Sequence, residues 1–423
     1  MPDRRSFLTG SALLAAAPAV SVPTEGIAAD LDRYIGFGNK QAGGPGDTAC
    51  GAWLAGELER AGYAVQRQDV ATPFFTPDRA ELVCGAAKAP VWPQPIVIPT
   101  GAAGVSGRLV YVDPRGHAHG PLAGAVALVD LPASRWSTAL AKPVREPVAA
   151  AFAAGAKAVV VVTNGPTGKV IALNADGRKP MFAGPVALLA PDDAAPFADA
   201  AARGESATLF VTGTGGHRPA FNLVGRIDRG AGRWLAVSTP RSGWTSCAGE
   251  RGGGVAVWLA LARWASRAVQ GHDLAFICNS GHEYEYLGAA EAMKAIAPAP
   301  AKTRFWLHLG ANVAAQDWHE GTGKPLPSID PQRFLALSPE LLPLAREVFA
   351  GHVGYEAPYS SAQLAAGELV EVIAAGFKPA AGVFGIHRYH HVDGDDARCV
   401  SARNVATTAA AFQAMVTRVL AGA

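Results

Sequence analysis

The sequence predicts an α/β protein, a doubly wound sheet with helices on both faces, interrupted by a smaller β-rich α+β module. From Phe221 onward short apolar runs alternate with helical stretches, the pattern of a parallel or mixed sheet covered on both sides. Between Gln94 and Gly215 the texture changes to short apolar runs separated by Gly/Pro-rich turns. The 423 residues, 49% hydrophobic and 17% charged, suit two or three domains of roughly 100–200 residues each. A net charge of +2 without basic clusters gives no support to nucleic-acid binding or to an anionic membrane surface.

Taken in order, Asp3-Arg4-Arg5-Ser6-Phe7-Leu8 precedes an apolar stretch from Leu8 to Val20 and small residues at Ala28-Ala29 or the earlier alanines. Paired arginines before such a stretch predict a twin-arginine export signal over 1–29, and hence a periplasmic or secreted protein. The stretch falls short of the roughly 20 apolar residues that span a bilayer. Asp47-Thr48 opens a helix through Gly51–Ala61, Gly62 ends it, and Tyr63–Val70 reads as a strand. The module at 94–215 holds strands in 107–112, 126–129 and 158–162 and one helix, Pro147–Ala154.

Beyond it come strands at Leu223–Ile227, Arg233–Ser238, Leu274–Cys278, Phe305–Leu309 and Ala381–Phe384. Helices are expected at Gly254–Ser266, Leu287–Ile296, Leu341–Phe349, Ala362–Ala374 and Asn404–Val419. In such a sheet ligands bind outside the carboxyl ends of the strands, which puts the chemistry in loops 239–253, 279–286, 310–320 and 386–400. Five cysteines show no CxxC or Cys/His finger. In an oxidising compartment Cys50–Cys84 is the first disulfide to test, with at least one thiol left over.

An N-terminal helix, an inserted β-rich module, and then Asn222-Leu223-Val224-Gly225-Arg226-Ile227 leading to a strand and a Gly-rich helix start form a known order. The chain resembles the two-zinc aminopeptidases, the zinc exopeptidase family that also contains glutamate carboxypeptidases and glutaminyl cyclases. The insert is similar to a protease-associated domain. The resemblance implies a zinc-exopeptidase-like fold split as 30–93 and 216–423 around the insert at 94–215.

Five ligands define the family's metal site: a His in an HxD loop, a bridging Asp in a DDxxSG turn, a Glu in an EE pair, an Asp after the next strand, and a late His followed by an Asp. The HxD loop falls on Thr239-Pro240-Arg241-Ser242, without His or Asp. The DDxxSG turn falls on Gly249-Glu250-Arg251-Gly252-Gly253-Gly254, with Gly249 at the bridging position. The EE pair becomes His282-Glu283, and the next Asp is missing near Gly310 or Ala311, with His308 close by. His391 with Asp395 completes the last motif. The resemblance thus implies a divergent member in which only Glu283 and His391 survive as metal ligands. It implies no ordinary dinuclear zinc site, and either no metal or a single zinc on those two residues.

Read by themselves, the loops suggest further chemistry. His282 is a candidate general base, since its unperturbed pKa of about 6.5 suits neutral pH. Glu283 and an imidazole–carboxylate pair of His391 with Asp395 would support it. The neighbours His390 and His391 also allow a mononuclear site with Glu283 and His308 or Asp393. The turn into the helix at Gly254 offers N–H groups to an anion, and Ser242 or Cys247 stands as an alternative nucleophile there. Arg241, Ser242, Trp244, Glu250, Arg251 and Tyr284 are candidate substrate contacts, with Tyr286, Trp306 and Trp318 behind them. The expected function is an exported peptidase-like hydrolase acting on a peptide or small amide. The alternative is a non-catalytic pseudo-peptidase that binds such a ligand.

Overall fold

A computed structural model describes residues 22–422 of the chain. Its centre is a mixed sheet in which Asp273–Asn279, Trp234–Pro240, Thr303–Leu309 and Ala380–Gly385 run parallel as neighbours in that order. Arg333–Leu337 adds an antiparallel strand beyond Ala380–Gly385, and Ser206–Ile227 adds one beside Asp273–Asn279. The central strands are buried along nearly their whole length, which explains why they read as continuous apolar runs rather than alternating ones.

Helices cover both faces. Thr24–Gly36, Pro45–Arg60, Gly253–Ala268 and Ala402–Ala421 share one core with the sheet. Leu287–Ala295 and Leu369–Ala374 close the other face. Trp258 anchors the first core: it is fully buried, its indole N–H donates to Val237 O at 3.1 Å, and it meets Phe276 edge to face. Among the described residues no helix is long and apolar enough to cross a membrane.

Two unusually long strands, Ala64–Cys84 and Ser206–Ile227, pair antiparallel from Ala64–Arg226 to Val83–Thr208. They carry the sheet outward to the segment between them. Pro73 and Pro77 lack a backbone donor and sit on Ala64–Cys84, which leaves its outer edge unpaired there, the place a strand tolerates proline. The segment between these strands is more α/β than expected. Val105–Val112, Val126–Asp130, Ala158–Val162 and Val186–Leu189 run parallel, and the helices Lys142–Ala153 and Ala195–Ala202 flank them over cores of their own.

Several local expectations need correction. The helix expected over Ala362–Ala374 forms only at Leu369–Ala374, because residues 361–368 turn to bring Glu368 inward, where it is 1% exposed. The paired arginines at the start of the chain lie outside the described residues. All five cysteines are free thiols, and Cys50 and Cys84 lie in separate cores, so they are not a disulfide pair.

The Trp258 core makes a direct prediction. Trp258→Ala should lower the free energy of unfolding by about 3–5 kcal/mol, read from urea melts. A loss below about 1 kcal/mol would place the main core elsewhere.

Candidate functional site

At the carboxyl ends of the parallel strands the four expected loops converge. The turn Ala248–Gly252 leads into the helix Gly253–Ala268 with one wide, π-type turn, a distortion that redirects side chains and recurs at functional sites. Cys247 before it adopts a left-handed backbone, φ 54°. The Asp395 carboxylate accepts the N–H groups of Gly249 at 2.7 Å and Glu250 at 3.0 Å. These donors are therefore taken and do not await an anion. Neighbouring Gly288 lets the loop 280–287 approach closely, because a Cβ there would lie 1.8 Å from Ser280 O.

This turn aims Glu250 and Arg251 into the protein, where they form an ion pair at 2.7 Å with side chains 0% and 1% exposed. Burial opposes ionisation of Glu250, but the Arg251 charge, with His391 and His390, holds its carboxyl well below the usual range. Arg251 Nε also donates to Ser242 O at 3.2 Å, while its Nη1 and Nη2 and both Glu250 oxygens lack hydrogen bonds.

His282 follows the strand Asp273–Asn279, and its Nδ1 is hydrogen-bonded with Glu368 Oε1 at 3.1 Å. Asn279 Nδ2 donates to Glu368 Oε2 at 2.9 Å. Burial, and then the Arg251 charge, push the His282 imidazole well below its ordinary value, so it is neutral. Its side chain keeps 8% exposure, more than the neighbouring Glu250 and Arg251. Glu368 is the group the sequence reading missed. It lies 86 residues from His282, in an irregular segment with no motif around it.

Other expected partnerships are redistributed. Asp395 faces His387 Nε2 at 3.3 Å, not His391, because the left-handed His391 backbone (φ 59°) and the turn from Val392 to Asp395 separate the two. His391 instead faces Glu250 Oε1 at 3.2 Å. Glu283 turns away from His391: its oxygens accept Ala42 N–H and the Ser242 hydroxyl, each at 2.7 Å. Ser242 Oγ also accepts from Gly281 and His282 N–H, so it is a loop clamp rather than a free nucleophile. Burial raises the Cys247 thiol well above its usual value, the opposite of an activated one. Arg241 points into the core, paired with Asp47 at 2.9 Å and donating to Phe221 O, and does not face the cleft. His308 is held by Ser238 at 2.9 Å. Trp244 and Tyr284 meet edge to face and line a cavity of about 270 Å³ with Trp92, Phe74 and Phe75.

The middle segment covers the site. Ala172 N donates to His391 O at 3.0 Å, and Ala175 N to Glu283 O at 3.1 Å. Trp244 Nε1 donates to Asn174 Oδ1 at 2.9 Å, and Thr138 bonds Glu285.

A two-ion metal site does not fit these residues. Pro240 and Ser242 stand at the HxD positions, each Glu283 oxygen already accepts a hydrogen bond away from His391, and Arg251 brings a fixed positive charge. A single ion has a fitting donor set, though not Glu283 with His391. Ligand atoms of Glu250, His390 and His391 lie within 4.8 Å of one another, and two imidazoles with a carboxylate are a known zinc set.

The buried histidines predict acid sensitivity. Burial lowers the His308 pKa to about 4, so the native state resists a proton that the unfolded chain takes up near 6.5. Its stabilisation is complete above about pH 6.5 and falls away towards pH 4, by about 3 kcal/mol. His282 and His390 shift in the same direction. Glu283 opposes them: burial raises it to about 6, so its contribution is present below the usual carboxylate value and lost as pH rises through about 6. Glu285, Glu368 and His387 are raised as well and act in the same sense as Glu283, so the test is read on one residue. Between pH 7 and pH 5 the melting temperature should fall less in His308→Asn than in the wild type. An unchanged pH profile in His308→Asn would contradict the assignment.

No family model matches the chain, and no curated protein sequence does. Solved structures do. A zinc aminopeptidase from Bacillus subtilis is 16% identical over 94% of this chain and 96% of its own, with a TM-score of 0.69. A peptidase M28 precursor from Shewanella amazonensis SB2B is 15% identical over 92% and 91%, with a TM-score of 0.71. An aminopeptidase from Aneurinibacillus sp. strain AM-1 is 18% identical over 94% of both chains, with a TM-score of 0.66. The chain therefore has the fold of these zinc exopeptidases over nearly its whole length.

Proposed function

We propose that this protein is an exported, peptidase-like hydrolase of a peptide or small amide, and a divergent member of the zinc exopeptidases. The observation that carries this reading is the buried His282–Glu368 pair beside Arg251, at the carboxyl edge where this fold places ligands. Glu368 accepts from Nδ1 and so leaves the Nε2 lone pair of a neutral imidazole to take a proton from water. Arg251 is the strongest electrostatic influence on His282 after burial. Its Nη2 pairs with Glu250, and its Nη1, without a hydrogen bond, suits the negative charge that develops on an attacked carbonyl oxygen. The cavity beside Trp244 and Tyr284 suits an apolar substrate group. An ion held by Glu250, His390 and His391 would polarise the same carbonyl and acidify water. Export rests on the paired arginines and the apolar stretch that follows them, and the middle segment is read as a protease-associated-like lid.

One observation favours a second reading, a pseudo-peptidase that holds ligand without cleaving it. The middle segment's hydrogen bonds to His391 and Glu283 keep the cluster covered.

A screen of aminoacyl and peptidyl amides separates the two. Turnover that falls about 10²-fold or more in His282→Ala and in Glu368→Gln is the expected result. Turnover untouched by both variants would sink the dyad. No turnover, with a melting temperature raised by small peptides, would establish the binding protein instead.

A further inference from the structure

The backbone just after His282 carries strain. Glu285 and Tyr286 both adopt the left-handed conformation, φ 46° and 64°, between the turn His282–Tyr284 and the helix Leu287–Ala295. Glycine takes such positions without a steric penalty, whereas other residues hold them only where their surroundings compel it. Here the restraint comes from two sides. Tyr286 N–H donates to His282 O at 3.2 Å, and Tyr286 O accepts from Ala290 N–H at 2.9 Å. The Glu285 carboxylate accepts from the hydroxyl of Thr138, which belongs to the middle segment.

The strained turn brings Tyr286 back onto the His282–Glu368 pair. Its ring lies against the His282 imidazole, with centroids 4.9 Å apart and planes at 57°. Its hydroxyl oxygen faces the N–H of Gly367, the residue before Glu368. Tyr286 thus touches one member of the pair and the chain that carries the other. The bond between His282 Nδ1 and Glu368 Oε1 fixes one ring atom and leaves the imidazole free to pivot about it. A side chain laid on the ring removes that freedom and holds Nε2 at one point. Strain of this kind is commonly retained where it pre-organises a reactive group.

We propose that Tyr286 is a positioning residue for the His282–Glu368 pair, and that Thr138, through Glu285, holds the turn that places it. The middle segment then sets the aim of His282 as well as covering the site. The catalytic consequence rests on the proposed hydrolysis; the orientation of the ring does not.

Two readouts on the full-length protein keep these apart. Nitrogen-15 spectra of labelled histidine, with the His282 ring assigned from His282→Ala, report orientation without turnover. The wild type and Tyr286→Phe should share one sharp His282 signal, which broadens or splits in Tyr286→Ala. On an amide that the wild type cleaves, Tyr286→Ala should lower kcat about tenfold or more, because a small misplacement of a reacting group is costly. KM should stay within about twofold, since no substrate contact is removed, and Tyr286→Phe should recover most of the loss. Glu285→Gly relieves the backbone strain and cuts the tie to Thr138. It should keep or raise the melting temperature yet lower kcat, a split that a purely structural turn would not show. Should Tyr286→Ala fail to fold, Tyr286→Leu and Glu285→Gly carry the same comparison. An unchanged His282 signal in folded Tyr286→Ala or Tyr286→Leu would overturn the proposal, as would a rise in KM with kcat intact. A wild type without turnover whose His282 signal still responds to these variants would sink the hydrolase reading and leave the positioning role standing.

Discussion

The Glu250–Arg251 ion pair organises everything at the carboxyl edge of the sheet. Two adjacent residues, both essentially inaccessible, carry opposite charges into a region that also holds His282, His308, His390 and His391. A buried charge is tolerated only where another charge or a set of hydrogen bonds answers it. Arg251 answers Glu250, and burial, followed by the Arg251 charge, keeps the His282 imidazole neutral. The backbone that makes this possible is in turn held by Asp395, whose carboxylate clamps the N–H groups of Gly249 and Glu250. Asp395 is thus a structural keystone, while Glu250 takes the partnership with His391.

The middle segment is equally part of the site. Its backbone meets His391 and Glu283 directly, and its Asn174 and Ser137 reach Trp244 and His390. The two long paired strands, Ala64–Cys84 and Ser206–Ile227, supply the geometric cause, because they fix the segment to the same sheet that carries the loops. A lid tied in this way orients side chains as well as covering them, since the carbonyl of Ala172 selects the His391 tautomer.

Much of this was legible in the sequence. Five main-sheet strands and the principal helices fall where the apolar runs place them, and the four loops that converge are the four that the alternation singled out. What was not legible follows a common cause. Glu368 has no local signature, and its partnership with His282 spans 86 residues. Arg241 and Arg251 stand close together in sequence, yet one enters the core beneath Phe221 and the other enters the cluster. His391 and Asp395 look like a pair at four residues' spacing, until a left-handed residue turns them apart.

The sequence by itself determined the class of fold and the edge at which chemistry gathers. Both are encoded by residue type at local spacing, such as the short apolar runs that alternate with helical stretches from Phe221 onward. The tertiary structure decided who partners whom: Glu250 with Arg251 and His391, His282 with Glu368, Glu283 with Ser242 and Ala42, Asp395 with His387. Hydrogen bonds and ion pairs form only when strands and loops distant in the chain have packed, and their direction depends on angles that spacing does not encode.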